Sequence, residues 1–92
     1  MITLDDIEGM TCLTRDEIAA LGEHEHVSGI SAAMMGEYLM HQPKGPQAVQ
    51  QMICEDIRAA LRADDLAHAR DLFATLRQYV ADHPEAVRGA PE

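Results

Sequence analysis

The 92-residue chain carries 7 Lys and Arg against 16 Asp and Glu, a formal net charge of −9 at pH 7. A field of that sign repels phosphate backbones and anionic lipid, and no basic cluster offsets it, so nucleic acid and membrane surfaces are disfavoured as partners. The length suits one domain burying about two thirds of its unfolded surface, and 3% aromatic residues with no Trp leave Leu, Ile, Val, Met and Ala to build the core.

The first residues, Met1 to Asp6, show neither a basic nor an apolar leader pattern, and no run approaches the roughly 18 apolar residues of a membrane span. A cytoplasmic location is the expectation. Cys12 and Cys54 lack CxxC spacing and are expected to be reduced thiols.

In chain order, Thr3 can cap a short lead-in helix over residues 4–10, with Asp5 and Asp6 at its positive end. Thr14 and Glu17 then form a capping box, and Leu13 and Ile18 occupy the two positions of a hydrophobic staple. Nothing from Arg15 to Gln42 is a proline, which predicts a single helix of about 28 residues, about 40 Å long. Pro43-Lys44-Gly45-Pro46 is a breaker whose second proline fits the first turn of a helix over residues 46–62. Asp64 and Asp65 cap a helix over 65–82, His83-Pro84 ends it, and residues 85–92 are expected to form a flexible tail. The expected fold class is therefore all-α: one long helix and two shorter ones in a single domain over residues 1–84.

Ile18, Leu21, Val27, Ile30, Ala33, Met34, Met35, Leu39 and Met40 spread around most of the long helix rather than along one stripe. Two shorter helices cannot cover such a surface, so the helical bundle is expected to be completed by dimerisation, most simply as a twofold homodimer. Gly22, Gly29 and Gly36 recur at heptad spacing. On one helix they share an edge, and each costs about 1 kcal/mol relative to Ala there, which points to close approach by another helix.

Glu23, His26, Glu37 and His41 fall within about 60° of one another on the long helix. Glu23 and His26 make an ExxH pair and Glu37 and His41 an i, i+4 pair, each able to present a carboxylate oxygen and an imidazole nitrogen to one ion. The pairs are about 16 Å apart along the axis, too far to share an ion within one helix. An antiparallel twofold near Ala32 would bring Glu23 to His41 and His26 to Glu37 across the interface, making two Glu/His clusters. Such ligands suit Fe, Mn or Zn and do not discriminate among them.

The stretch Glu23-His24-Glu25-His26 in its helical setting resembles the ferritin-like diiron-carboxylate proteins, in which inward-facing Glu and ExxH motifs on a four-helix bundle hold a metal pair. The resemblance implies a small half-bundle completed by dimerisation, a divalent metal cofactor with Glu23 and His26 of the ExxH motif among its ligands, and metal handling or oxidase-type redox chemistry; Glu37 and His41 join the expected metal ligands through their helical spacing alone. The competing expectation is a metal-free helical interaction module whose acidic surface docks a basic protein partner.

Asp56 lies among Val49, Met52, Ile53 and Ala60 on the apolar face of the second long element and needs a partner: a His of the long helix, a metal or Arg15. His68 reads as a surface residue. Met34, Met35, Met40 and Met52 fit core filling better than copper or haem ligation. Ser28 and Ser31 sit on no strand-to-helix elbow, and Gly45 stands alone between prolines, so hydrolase and nucleotide chemistry find no constellation.

Overall fold

The computed structural model describes residues 12–27 and 29–88. Within them five helices follow one another: α1 (Arg15–Glu25), α2 (Gly29–Met40), α3 (Gly45–Arg62), α4 (Leu66–Asp82) and the single turn α5 (Glu85–Arg88). The lead-in helix expected over residues 4–10 and the last four residues of the expected tail lie outside the described residues.

α1 begins where the capping box places it. The Thr14 hydroxyl accepts the Glu17 N–H at 3.2 Å, and the Glu17 carboxylate accepts the Thr14 N–H at 2.8 Å. Both staple residues, Leu13 and Ile18, are buried in the core.

The single long helix is not formed; it is two helices. α1 stops at Glu25, and His26 takes a left-handed conformation with φ 59°. The His26 N–H reaches the Glu23 carbonyl at 3.4 Å and the Val27 N–H reaches the Gly22 carbonyl at 2.9 Å. These are the paired closing bonds of a Schellman motif, here with His in the place glycine usually takes; His enters this region more readily than most side chains. Gly29, with φ +58°, opens α2. The physical reason for the break lies in the apolar circumference noted above. By turning back, the chain packs α2 against α1 and buries Ile18, Leu21, Ala32 and Ala33 against its own residues.

The glycine edge dissolves with the break. A Cβ on Gly22 would stand 2.5 Å from the Val27 carbonyl oxygen and 3.1 Å from the Ala32 Cβ, while at Gly36 it would meet the Leu13 and Leu21 methyls at 2.6 and 2.9 Å. Both glycines admit the chain's own neighbours. Gly29 has open space around it and serves the turn through its φ.

Pro46 sits in the first turn of α3, and α3 ends in a second Schellman pair: Asp64 N–H to Leu61 carbonyl at 3.1 Å and Asp65 N–H to Ala60 carbonyl at 2.9 Å, with Asp64 at φ 58°. Asp65 then caps α4 by accepting the His68 N–H at 3.2 Å. The short connection folds α3 and α4 into a helical hairpin. Tyr79, wholly buried, donates its hydroxyl to the Pro46 carbonyl at 2.8 Å and ties the end of α4 to the start of α3. Residues 85–88, expected in a loose tail, form α5 instead, because Ala86 is drawn into the core against α3 and α4. α1 packs on α3 and α4, whereas α2 touches only α1 and α3 among the described helices and is left at the edge. No helix among the described residues is long and apolar enough to cross a membrane.

Candidate functional site

The break in the long helix redistributes the residues expected to bind metal. Glu23, on α1, turns toward α4, where the His68 Nε2 lies 2.7 and 2.8 Å from its two carboxylate oxygens. His26 occupies the exposed left-handed position that ends α1. Glu37 and His41 stay together at the far end of α2: His41 Nδ1 is 3.3 Å from the Glu37 carboxylate and 2.8 Å from its backbone carbonyl oxygen. The structure therefore keeps the Glu37/His41 pair and does not join Glu23 to His26 at a common point. Ala32, the expected centre of a twofold, is buried within the chain at 1% exposure, as is its neighbour Ala33 at 0%. A twofold at Ala32 is thereby corrected, because that surface is already covered by α1 and α3.

A different polar cluster forms where α1, α3 and α4 meet. Beside the Glu23/His68 pair, His24 Nε2 lies 3.2 Å from the Glu55 carboxylate on α3 and its Nδ1 3.5 Å from Glu25. The half-buried Asp56 belongs to the same field, with one carboxylate oxygen buried and without a hydrogen-bond partner among the described residues. Burial pushes the Asp56 carboxyl up; His24 opposes that and Glu23 and Glu55 reinforce it. The His68 ring is held above its ordinary value mainly by the Glu23 bond. Burial pulls the His24 ring down, but Glu55, Asp56 and Glu25 more than offset it and leave it raised. Each histidine thus serves as a clip between helices, with its proton shared toward a carboxylate.

Sequence reasoning took His68 for a surface residue and missed its bond to Glu23; a His of the long helix was expected near Asp56, and His24 is that residue, but its bond to Glu55 was not foreseen. Two signals were present: His68 stands three residues beyond the α4 cap, and His24 is one residue from Glu23 on a helix whose polar flank must face something. Among the described residues, no three His, Cys, Asp or Glu side chains converge on a point that could hold a metal ion. The Glu23/His68 pair borders an open cleft of about 750 Å³ between α1 and α4, also lined by Asp16, Asp71, Thr75 and Gln78.

The edge helix carries the second notable surface. Ile30, Met34 and Tyr38 are 46%, 66% and 67% exposed. They follow one another at one-turn spacing, within about 80° of arc. Beside them a mostly apolar groove of about 360 Å³ runs between α1 and α2, lined by Ile18, Ala19, Gly22, Val27, Gly29 and Ala32, with Arg15 and Glu23 at its margin. Comparison of the chain with protein-family models, with curated proteins and with solved structures finds no match.

Proposed function

We propose that the chain is a helical interaction module that pairs with a second copy of itself through the outer face of α2. The observation that carries this reading is the exposed run Ile30, Met34 and Tyr38 on a helix with no neighbour on that side among the described residues. Charge selects the occupant. Two chains of −9 resist each other over most of their surface, but α2 contains a single charged residue, Glu37, with His41 beside it. An antiparallel twofold at Met34 sets Ile30 against Tyr38 of the partner subunit and stacks no carboxylate on another. Fully covering a large apolar side chain contributes about 1.5–3 kcal/mol, so three per copy can offset the several kcal/mol that association costs. A basic partner suits this face less well, because the face offers it no ring of carboxylates.

Light scattering over a concentration series tests the reading. The expected result is a dimer for the natural chain and a monomer of unchanged helicity for Met34→Glu. A natural chain that stays monomeric up to about 1 mM removes it.

A second reading, a bound Fe, Mn or Zn ion, takes the orphaned Asp56 oxygen as one ligand and needs the neighbouring side chains to shift onto the ion, because no three converge on one point among the described residues. Elemental analysis of protein purified without tag or chelator decides it. Stoichiometric metal that disappears in Asp56→Asn favours it; no metal, with no rise in melting temperature on adding Fe(II), Mn(II) or Zn(II), removes it.

A further inference from the structure

The α3–α4 hairpin carries a surface unlike the rest of this acidic molecule. Leu61, Leu66 and Phe73 are each more than half exposed, at 51%, 55% and 53%, and they line a groove of about 380 Å³ floored by Ile57 and Ala69. Arg70 and Arg77 line the same groove. The hairpin holds four of the chain's 7 basic residues, Arg58, Arg62, Arg70 and Arg77, all exposed. None of the four is in an ion pair with a described residue. Of the acids on α4 and its cap, Asp65 caps the helix and Asp71 lines the cleft on the α1 side. The hairpin thus joins an exposed apolar trough to guanidinium groups that form no ion pair with a described residue, within a chain of net −9.

We propose that this groove binds an acidic amphipathic helix of another protein, with carboxylates seven residues apart and large aliphatic side chains on the adjoining face. Arg70 and Arg77 are themselves seven residues apart on α4, two turns, or about 10.5 Å along the axis. A partner helix lying along the groove repeats that spacing, so Glu or Asp at positions i and i+7 meets both guanidinium groups. Its aliphatic residues at i+3 and i+4 enter the trough between Leu66 and Phe73, the helix-in-groove mode of recognition. Arginine suits the task because its planar fork meets a carboxylate with two parallel hydrogen bonds. The net negative charge of the chain acts mostly beyond the screening length of about 8 Å at physiological salt, whereas the guanidinium contacts act within it. Nucleic acid would meet the same arginines but also the acidic flanks over its greater length.

The probe is a blocked synthetic peptide of about 18 residues, enough for five turns, with Glu at i and i+7 and Leu at i+3, i+4 and i+8. Its control has Lys in place of each Glu. Binding is read by titration calorimetry with the full chain at physiological salt, and circular dichroism confirms that each variant is folded. The Glu peptide is expected to bind at micromolar concentration and at least about tenfold tighter than the Lys peptide. In the double variant Arg70→Glu/Arg77→Glu the preference is expected to reverse, while Phe73→Ser weakens both peptides. Equal binding of the two peptides, or no binding of the Glu peptide at about 1 mM, overturns the proposal. A double variant that changes the mass in light scattering and leaves peptide binding unaltered also overturns it, since the groove is then covered by a second copy.

Discussion

The carbonyl oxygen of Val27 stands 2.5 Å from the point a Cβ on Gly22 would occupy, so the chain that leaves α1 folds back onto the glycine it has just passed. The Val27 N–H, bonded to the Gly22 carbonyl at 2.9 Å, holds the two together. A methyl group at Gly22 must displace backbone rather than a flexible side chain. Gly22→Ala is therefore expected to lose stability despite alanine's helix preference of about 1 kcal/mol. The net loss should be about 2 kcal/mol, or a fall in melting temperature of about 8–16 °C by circular dichroism. An unchanged melting temperature would mean that the turn gives way easily.

The residue at the turn should respond in the opposite sense. His26 and Asp64 both hold positive φ at the ends of helices, a conformation costing a residue with a Cβ about 1 kcal/mol relative to glycine. Exposed His26→Gly is expected to raise stability by about 0.5–1 kcal/mol, measured by urea denaturation.

Glu17 is fully buried, with one carboxylate oxygen on the Thr14 N–H and the other lacking a hydrogen-bond partner among the described residues. Burial pushes its carboxyl up, against the Thr14 bonds and nearby His83. Glu17→Gln keeps the acceptor of the capping box and removes a buried charge, so at pH 7.5 it should be neutral or stabilising by up to about 1 kcal/mol. Glu17→Ala loses the cap and leaves a cavity, and should cost about 2–3 kcal/mol. If the two variants are equally destabilised in urea, the ionised carboxylate itself is what the site needs.

Stability should rise as the solution is acidified. Cys12, Glu17, His24, Asp56, His68 and Tyr79 are all held above their ordinary values. In each case the folded chain retains protons that the unfolded chain has released. For His24 and His68 the gain is complete below the unfolded value of about 6.5 and is lost as pH rises through the raised folded value. For Glu17 and Asp56 the burden of the buried charge is relieved as pH falls through their raised values. Scanning calorimetry is expected to give a higher melting temperature at about pH 5.5 than at about pH 8. The double variant His24→Ala/His68→Ala should flatten the part of that rise near neutrality, and a natural chain whose melting temperature falls over the interval would contradict the assignment.

Local signals carried most of the fold. The capping box at Thr14, the proline in the first turn of α3, the cap at Asp65 and the stop at His83 are short-range devices, and each lies where its residues place it. The break at His26 was hidden because no proline or glycine marks it: a histidine fills the left-handed position, and the nearest glycine, Gly29, stands three residues on. With the break unseen, helical spacing placed Glu23, His26, Glu37 and His41 on a single face. Their true neighbours are set by tertiary packing, which brings His68 to Glu23 across 45 residues of sequence. The apolar circumference of the long segment did indicate a need for more cover; much of that cover is its own second half, and the outer face of α2 is what remains.

The turn at His26 also bears on how quickly the molecule can assemble. Because it pairs α1 with α2, just as the turn at Asp64 pairs α3 with α4, the helices nearest in sequence are also packed together. Each hairpin can close over a short loop before the two meet, and low contact order of this kind places refolding in the range of microseconds to milliseconds.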